Sequence, residues 1–144
     1  MSKLSEVPQV SVAVVLYNQR ATSILLQQFK SERYFLKWGF AGGKVDPGES
    51  PLQAAYRELE EESGIPASQV TLESARYWSY DYYPATDEHF VCVYFNGQGI
   101  KSDVDPRITE PDKTEAWEWV SMTGVRNLHT LGDLLPGCAG FFSL

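Results

Sequence analysis

Apolar residues in this chain fall into short runs broken by polar turns. The first two runs read as strands. Val10–Tyr17 is rich in β-branched residues, the turn-like Asn18-Gln19-Arg20 follows, and Ser23–Phe29 resumes the pattern, so the pair predicts a hairpin. Lys37–Ala41 leads into a predicted glycine loop at Gly42-Gly43. The period then changes from strand to helix. Ser50 suits an N-cap, Pro51 the first helical position, and Gln53 completes a capping-box pattern, while Gly64 supplies a stop. Between these ends Leu52, Ala55, Tyr56 and Leu59 form one apolar stripe. Further on, strands are predicted near Val70–Tyr80 and Glu88–Asn96, with Asn96-Gly97-Gln98-Gly99 breaking the second. Lys101–Lys113 is polar and proline-punctuated and reads as a loop. Glu115–Val120 resumes as strand, and a short helix is predicted over Thr123–Leu131. No internal repeat is visible.

The capped helix carries the candidate chemistry. Glu58, Glu61 and Glu62 stand at positions i, i+3 and i+4, which share one helix face beside the apolar stripe. Three carboxylates there repel one another unless a cation is present, and hard oxygen ligands behind a glycine segment suit a divalent ion. Glu60 projects elsewhere and reads as a solvated charge.

Gly43 through Ile65 reads G-x5-E-x7-R-E-U-x-E-E-x-G-U, where U is a bulky aliphatic residue. This stretch resembles the Nudix box of the Nudix hydrolases at every defined position: Gly43, Glu49, Arg57, Glu58, Leu59, Glu61, Glu62, Gly64 and Ile65. The resemblance implies one Nudix domain over residues 1–144, of α/β class, an α/β/α sandwich with a mixed β-sheet between helices. It also implies hydrolysis of a nucleoside diphosphate linked to another moiety, with Mg2+, or Mn2+ in its place, as the cofactor. By the same resemblance Glu58, Glu61 and Glu62 are metal ligands, with the Gly42 carbonyl a further one, and Glu61 or Glu62 can orient or deprotonate water. Arg57 can reach back to Glu49, which makes it an orienting residue for the carboxylates. Many relatives carry proline just before the two glycines. Ala41 stands there instead, which predicts a slightly looser loop with its chemical groups intact.

Composition narrows the class. With 144 residues and 43% hydrophobic content, the chain has the size of one domain with a substantial core. A net charge of −7 argues against a nucleic-acid backbone as the main partner and leaves a small-molecule nucleotide, bound through metals, as the expected one. Cys92 and Cys138 are too few for a disulfide framework. The segment MSKLSEVPQV lacks an apolar signal core, and no apolar run approaches a membrane span, so a cytoplasmic setting without membrane partners is the default. A homodimer is compatible with these features.

Residues outside the box bear on specificity. Glu110–Val120, with His89-Phe90-Val91, is similar to the MutT-like subgroup that cleaves nucleoside triphosphates, including its nucleotide-sanitising relatives. Trp117 and Trp119 alternate with Glu118 and so share a strand face, where one can stack on a base and the other pack in the core. His89 is a substrate-contact candidate, and Arg33, with Lys30, is a cation placed to meet a terminal phosphate. Tyr82 and Tyr83 lie 17 and 18 residues beyond Ile65, a spacing that resembles dinucleoside polyphosphate hydrolases and makes Tyr82 a base-contact candidate. Proline about 15 residues past the box, frequent in ADP-ribose hydrolases, is replaced by Tyr80, which disfavours ADP-ribose; hydrolysis of a dinucleoside polyphosphate or a nucleotide sugar stays the alternative. The family resemblance also implies that a carboxylate from this region can serve as general base; Glu110, whose Glu110-Pro111 pair is similar to the sanitising subgroup, is favoured, with Asp112 and then Glu115 as alternatives. A catalytically silent nucleotide sensor is the alternative of a different class. The retained carboxylates speak against it.

Overall fold

The computed structural model describes residues 7–99 and 104–144. Seven strands form one mixed sheet: β1 Gln9–Tyr17, β2 Ser23–Phe29, β3 Trp38–Gly39, β4 Ala41–Lys44, β5 Val70–Tyr83, β6 Glu88–Gly99 and β7 Thr114–Ser121. Three helices accompany them: α1 Pro51–Ser63, α2 Met122–Thr130 and α3 Pro136–Phe141. The main path runs β3-β2-β1-β6-β5, with β4 joined to β1 and β7 to β2.

β1 organises the sheet because nearly every inward residue is apolar; Val14, Val15 and Leu16 are fully buried. It pairs in parallel with β6 along its whole length, from Gln9 opposite Phe90 to Tyr17 opposite Gln98. Its other edge pairs with β4 in antiparallel register, Val12 opposite Gly43 and Ala13 opposite Gly42. The predicted hairpin is therefore only a turn. Asn18 Oδ1 accepts from the amides of Thr22 and Ser23, but one residue pair, Tyr17 with Ile24, joins the two strands before they part. β2 pairs instead with β7 from Ser23 to Phe29.

Each sheet face buries its own core, as strand alternation requires. Val12, Val14, Leu16 and Leu25 pack with Ala54, Ala55 and Leu59 of α1, and Trp117 and Trp119 border this cluster. Ala13, Val15, Ile24 and Leu26 face the other way and pack with Val125 of α2 and Cys138 and Ala139 of α3. Among the described residues, no helix is long and apolar enough to cross a membrane.

Several sequence expectations change in the fold. The glycine loop is a strand, with Ala41 buried opposite Val14, so Ala41 sits in a sheet rather than in a loosened turn. On α1 the buried residues are Ala54, Ala55, Leu59 and Ser63, whereas Leu52, on the same face but in the first turn of the helix, is exposed. Asn96–Gly99 continues β6, because β1 and β5 bond it on both sides. Gly97 is needed there: a Cβ would run into the Thr71 backbone carbonyl of β5. α3 has no counterpart in the sequence pattern; six residues with two glycines show no helical period. The expected loop lies partly outside the described residues, which resume at Val104, itself buried against the α1 core.

Candidate active site

α1 is built as its sequence prescribes. The Ser50 hydroxyl accepts from the Gln53 amide at 3.1 Å, the Gln53 side chain accepts from the Ser50 amide at 2.8 Å, and Gly64 closes the helix in the left-handed region at φ 74°. One turn of this helix lies against β4. Gly43 faces Glu58 so closely that any Cβ would sit inside its carboxylate, and the Gly42 amide donates to Glu62 Oε1 at 2.7 Å. The two glycines thus serve close approach, since neither adopts a positive φ.

Arg57 gathers the remaining acids. Its guanidinium takes Glu49 in a bidentate pair at 2.7 and 2.9 Å, donates to Glu58 Oε1 at 3.0 Å and Glu61 Oε2 at 3.1 Å, and reaches the Lys44 carbonyl at 2.9 Å. That grip, with the Asp46 amide, holds the Glu49 carboxyl down at about 2. The donors of Arg57 are spent on the protein's own groups.

The helix carboxylates differ in environment. Glu58 keeps only 14% of its side-chain surface, and Glu61 keeps 56%. Burial raises Glu58 against the opposing pull of Arg57, with the charges of Glu61 and Glu110 adding to the rise. Glu62 is buried more deeply and rises to about 8, from burial first, against the Gly42 amide bond, and with the charges of Glu58 and Glu110 adding. The charge of Glu110 thus acts on both carboxylates.

Glu110 comes from the loop, not the helix. Thr109 Oγ1 donates to the carbonyl of Glu62 at 2.9 Å, and the Arg107 amide donates to Ser63 O at 2.8 Å, so the loop is tied to the carbonyl-rich end of α1. Lys113 bonds Glu110 Oε2 at 3.1 Å, and among the described residues no group bonds its other carboxylate oxygen.

Among the described residues, no three acidic, histidine or cysteine side chains enclose an ion as they stand. The donor set fits a hard divalent cation: all candidate ligands are oxygens, and Glu62 is a part-buried carboxylate bonded by the Gly42 amide, with Gln27 beside it and no ion pair among the described residues. Glu58, Glu61 and Glu62, with the Gly42 carbonyl, are the groups that would hold it.

On the far side of β4 lies a cavity of about 730 Å³, whose wall includes Gly42, Gly43 and Lys44. Such a volume suits a nucleotide-sized ligand. Arg33 and Tyr82 of the sequence candidates line it, Arg33 lying 3.9 Å over the Tyr83 ring and bonding Glu88 at 3.2 Å. Tyr34 and Tyr83 join their hydroxyls across its rim. Trp117 and His89 are not in this wall. Trp117 borders the α1-side core with its indole N–H unpaired, and His89 Nδ1 pairs with the Tyr80 hydroxyl at 2.9 Å. Lys30 is turned to Glu115 and the Pro111 carbonyl.

Residues not singled out by sequence also take part. Gln27, 1% exposed, bonds Thr114 at 2.6 Å beside Glu62; it follows the apolar run Ile24-Leu25-Leu26 in sequence, where nothing local marks it. Lys44, Asp81 and the Leu134–Cys138 segment complete the cavity wall, and nothing local marks them.

Comparisons with known proteins agree with this geometry. The family model for the NUDIX domain matches residues 7–135. An RNA pyrophosphohydrolase of Gluconobacter oxydans is 30% identical over 125 residues, covering 73% of this chain and 71% of that protein. A MutT NUDIX hydrolase structure from Burkholderia pseudomallei superposes with a TM-score of 0.69 at 30% identity, covering 82% of this chain and 86% of its own. The structure of a C. elegans Ap4A hydrolase binary complex shares the fold at TM-score 0.69 and 23% identity, covering 94% of this chain and 95% of its own. With its complete box folded around Arg57 and Gly43, the chain belongs to the Nudix family and is a Nudix pyrophosphohydrolase.

Proposed function

We propose that this enzyme hydrolyses a ribo- or deoxyribonucleoside triphosphate to the monophosphate and pyrophosphate, with Mg2+ as its cofactor and Mn2+ as a substitute. One observation carries the proposal: Glu58 and Glu62 lie against the glycine strand β4, Glu58 abutting Gly43 and Glu62 bonded by the Gly42 amide, and the same strand walls a nucleotide-sized cavity. Phosphates held at the carboxylates leave the nucleoside directed into that cavity. Bound there, the divalent ion neutralises phosphate charge and acidifies water. Glu110 is the residue we assign to accept the water proton, its loop tied to the α1 C-terminus through Thr109. Arg57 keeps Glu58 and Glu61 aimed, and Arg33 and Tyr82 contact the nucleoside end of the substrate.

A second substrate is favoured by the curated relatives, which are named RNA pyrophosphohydrolases. A 5′-triphosphorylated RNA end presents the same reacting group. The net charge of −7 weighs against an extended RNA contact.

The test is a hydrolysis screen with Mg2+ or with EDTA. Nucleoside triphosphates, oxidised variants, a dinucleoside tetraphosphate, nucleotide sugars and a 5′-triphosphorylated oligoribonucleotide are compared by kcat/KM. Release of pyrophosphate and monophosphate from a triphosphate supports the proposal. A stronger preference for the oligoribonucleotide or the dinucleotide refutes it, and no hydrolysis of any compound refutes the catalytic assignment.

A further inference from the structure

The cavity wall contains one carboxylate among the described residues, Asp81 of β5. Its side chain shares a face with Ser79 and Tyr83, opposite Cys92 and Phe90 of β6. Little satisfies it. Ser79 Oγ donates to Asp81 Oδ2 at a long 3.4 Å, and among the described residues the other oxygen has no hydrogen-bond partner. The three cations of the same wall are engaged elsewhere: Arg33 and Lys44 with Glu88 at 3.2 and 3.6 Å, and Lys37 with Asp133 at 3.5 Å. The same wall carries Phe40, Phe90 and Tyr94, all buried, with Phe90 opposite Asp81 on β6. A half-buried carboxylate costs free energy when unpaired, and here burial lifts its pKa against the weak Ser79 bond. A fold retains such a group where a ligand supplies the missing donors.

Resting on the hydrolase activity proposed above, we infer that Asp81 determines which heterocycle the cavity accepts, by taking two adjacent N–H donors on its two carboxylate oxygens. An ionised carboxylate is an acceptor only. The matching edge is a ring N–H beside an exocyclic amine, as in guanine or a 2-amino-4-oxopteridine. Adenine and cytosine place a ring acceptor next to their amine, which faces the carboxylate lone pairs. Uracil and thymine offer one N–H flanked by carbonyls, and hypoxanthine keeps the ring N–H but lacks the amine. Two parallel N–H to carboxylate bonds give strong, directional discrimination.

GTP and ITP differ only by that amine and supply the decisive comparison. Wild-type kcat/KM is expected to favour GTP over ITP by roughly 10- to 100-fold, the span a bidentate pair provides. Asp81→Ala should bring the ratio to about 1. Asp81→Asn presents one acceptor and one donor, so it should lower the GTP/ITP ratio and raise ATP relative to GTP. A ratio within one preparation is insensitive to a uniformly weaker or partly unfolded variant. Neopterin triphosphate separates the two sources of the edge; its preferred hydrolysis with the same Asp81 dependence keeps the inference and replaces the nucleoside. Calorimetric binding of GMP and IMP, which needs no turnover, tests Asp81 even if no triphosphate is cleaved. An unchanged GTP/ITP or GMP/IMP ratio in both variants overturns the inference, as does a wild-type protein indifferent to the amine.

Discussion

Replacing Gly43 by alanine separates the chemistry of the site from the stability of the fold. A Cβ at position 43 would lie 2.6 Å from Glu58 Oε2 and nearer still to the rest of that carboxylate. Every atom it meets is the far end of one flexible side chain, so Glu58 can swing away at the cost of a rotamer change and its bond to Arg57, about 1 kcal/mol. Gly42 offers the contrast. A Cβ there would lie 3.2 Å from Val12 C and Ala13 Cα and closer to the Val12 carbonyl oxygen, all backbone of the buried strand β1. That strand cannot yield without disturbing its pairing with β6, and overpacking of this kind costs roughly 1–3 kcal/mol or more. At about 3 °C per kcal/mol for a chain of this size, Gly42→Ala should lower the Tm by roughly 5–10 °C and Gly43→Ala by less than about 4 °C. Activity should order the other way per folded molecule: a displaced Glu58 leaves the metal-ligand set incomplete, so Gly43→Ala should lose roughly 100-fold in Mg2+-dependent kcat/KM. Thermal melts and pyrophosphate release measure the two effects. Gly43→Ala with turnover within threefold of wild type, or with a melting loss equal to that of Gly42→Ala, would refute the packing argument.

Glu61→Gln and Glu62→Gln keep shape and remove charge, so each should lower kcat by about 100-fold or more with the fold intact, and EDTA should abolish wild-type turnover until Mg2+ is restored; near-normal rates in both variants would falsify the ligand assignment. Folded Glu62 keeps its proton to about pH 8, whereas the unfolded carboxyl releases it near the ordinary 4.5. The unfolded state thus binds fewer protons between those values, and the Tm of the metal-free protein should fall as pH rises from about 4.5 to 8. Glu62→Gln or added Mg2+ should flatten that slope, and a slope surviving both changes counts against the buried-carboxylate explanation. Glu110→Gln should lower kcat with little change in KM, and Thr109→Val, which frees the loop from the α1 carbonyls, should reproduce part of that loss. Wild-type pH–rate profiles in both variants would return the base role to Glu61 or Glu62.

Local order governs what was legible in the chain. The Ser50 cap, the Gln53 return bond and the Gly64 stop are contacts within a few residues, so their sequence spacing dictates them wherever the helix sits. The same holds for the shared face of Glu58, Glu61 and Glu62 and for Arg57 reaching Glu61 one turn on. Strand cores such as Val10–Tyr17 were visible because β-branched apolar runs have few other places to go. Contacts between distant segments were not encoded in any local period. Gly97 lies in a strand because β1 and β5 bond both its sides, overriding its turn preference. Glu110 nears the helix because Thr109 and Arg107 bind the orphan carbonyls at the α1 C-terminus. Trp117 meets the α1-side core rather than the cavity because β7 pairs with β2 in the register that sets Trp117 opposite Gln27. The cavity itself exists only where β4, the β5–β6 tip and α3 come together. A helix face is thus written in the chain at the spacing of one turn, whereas a pocket wall depends on which edges pair, a choice made by the free energy of the whole sheet.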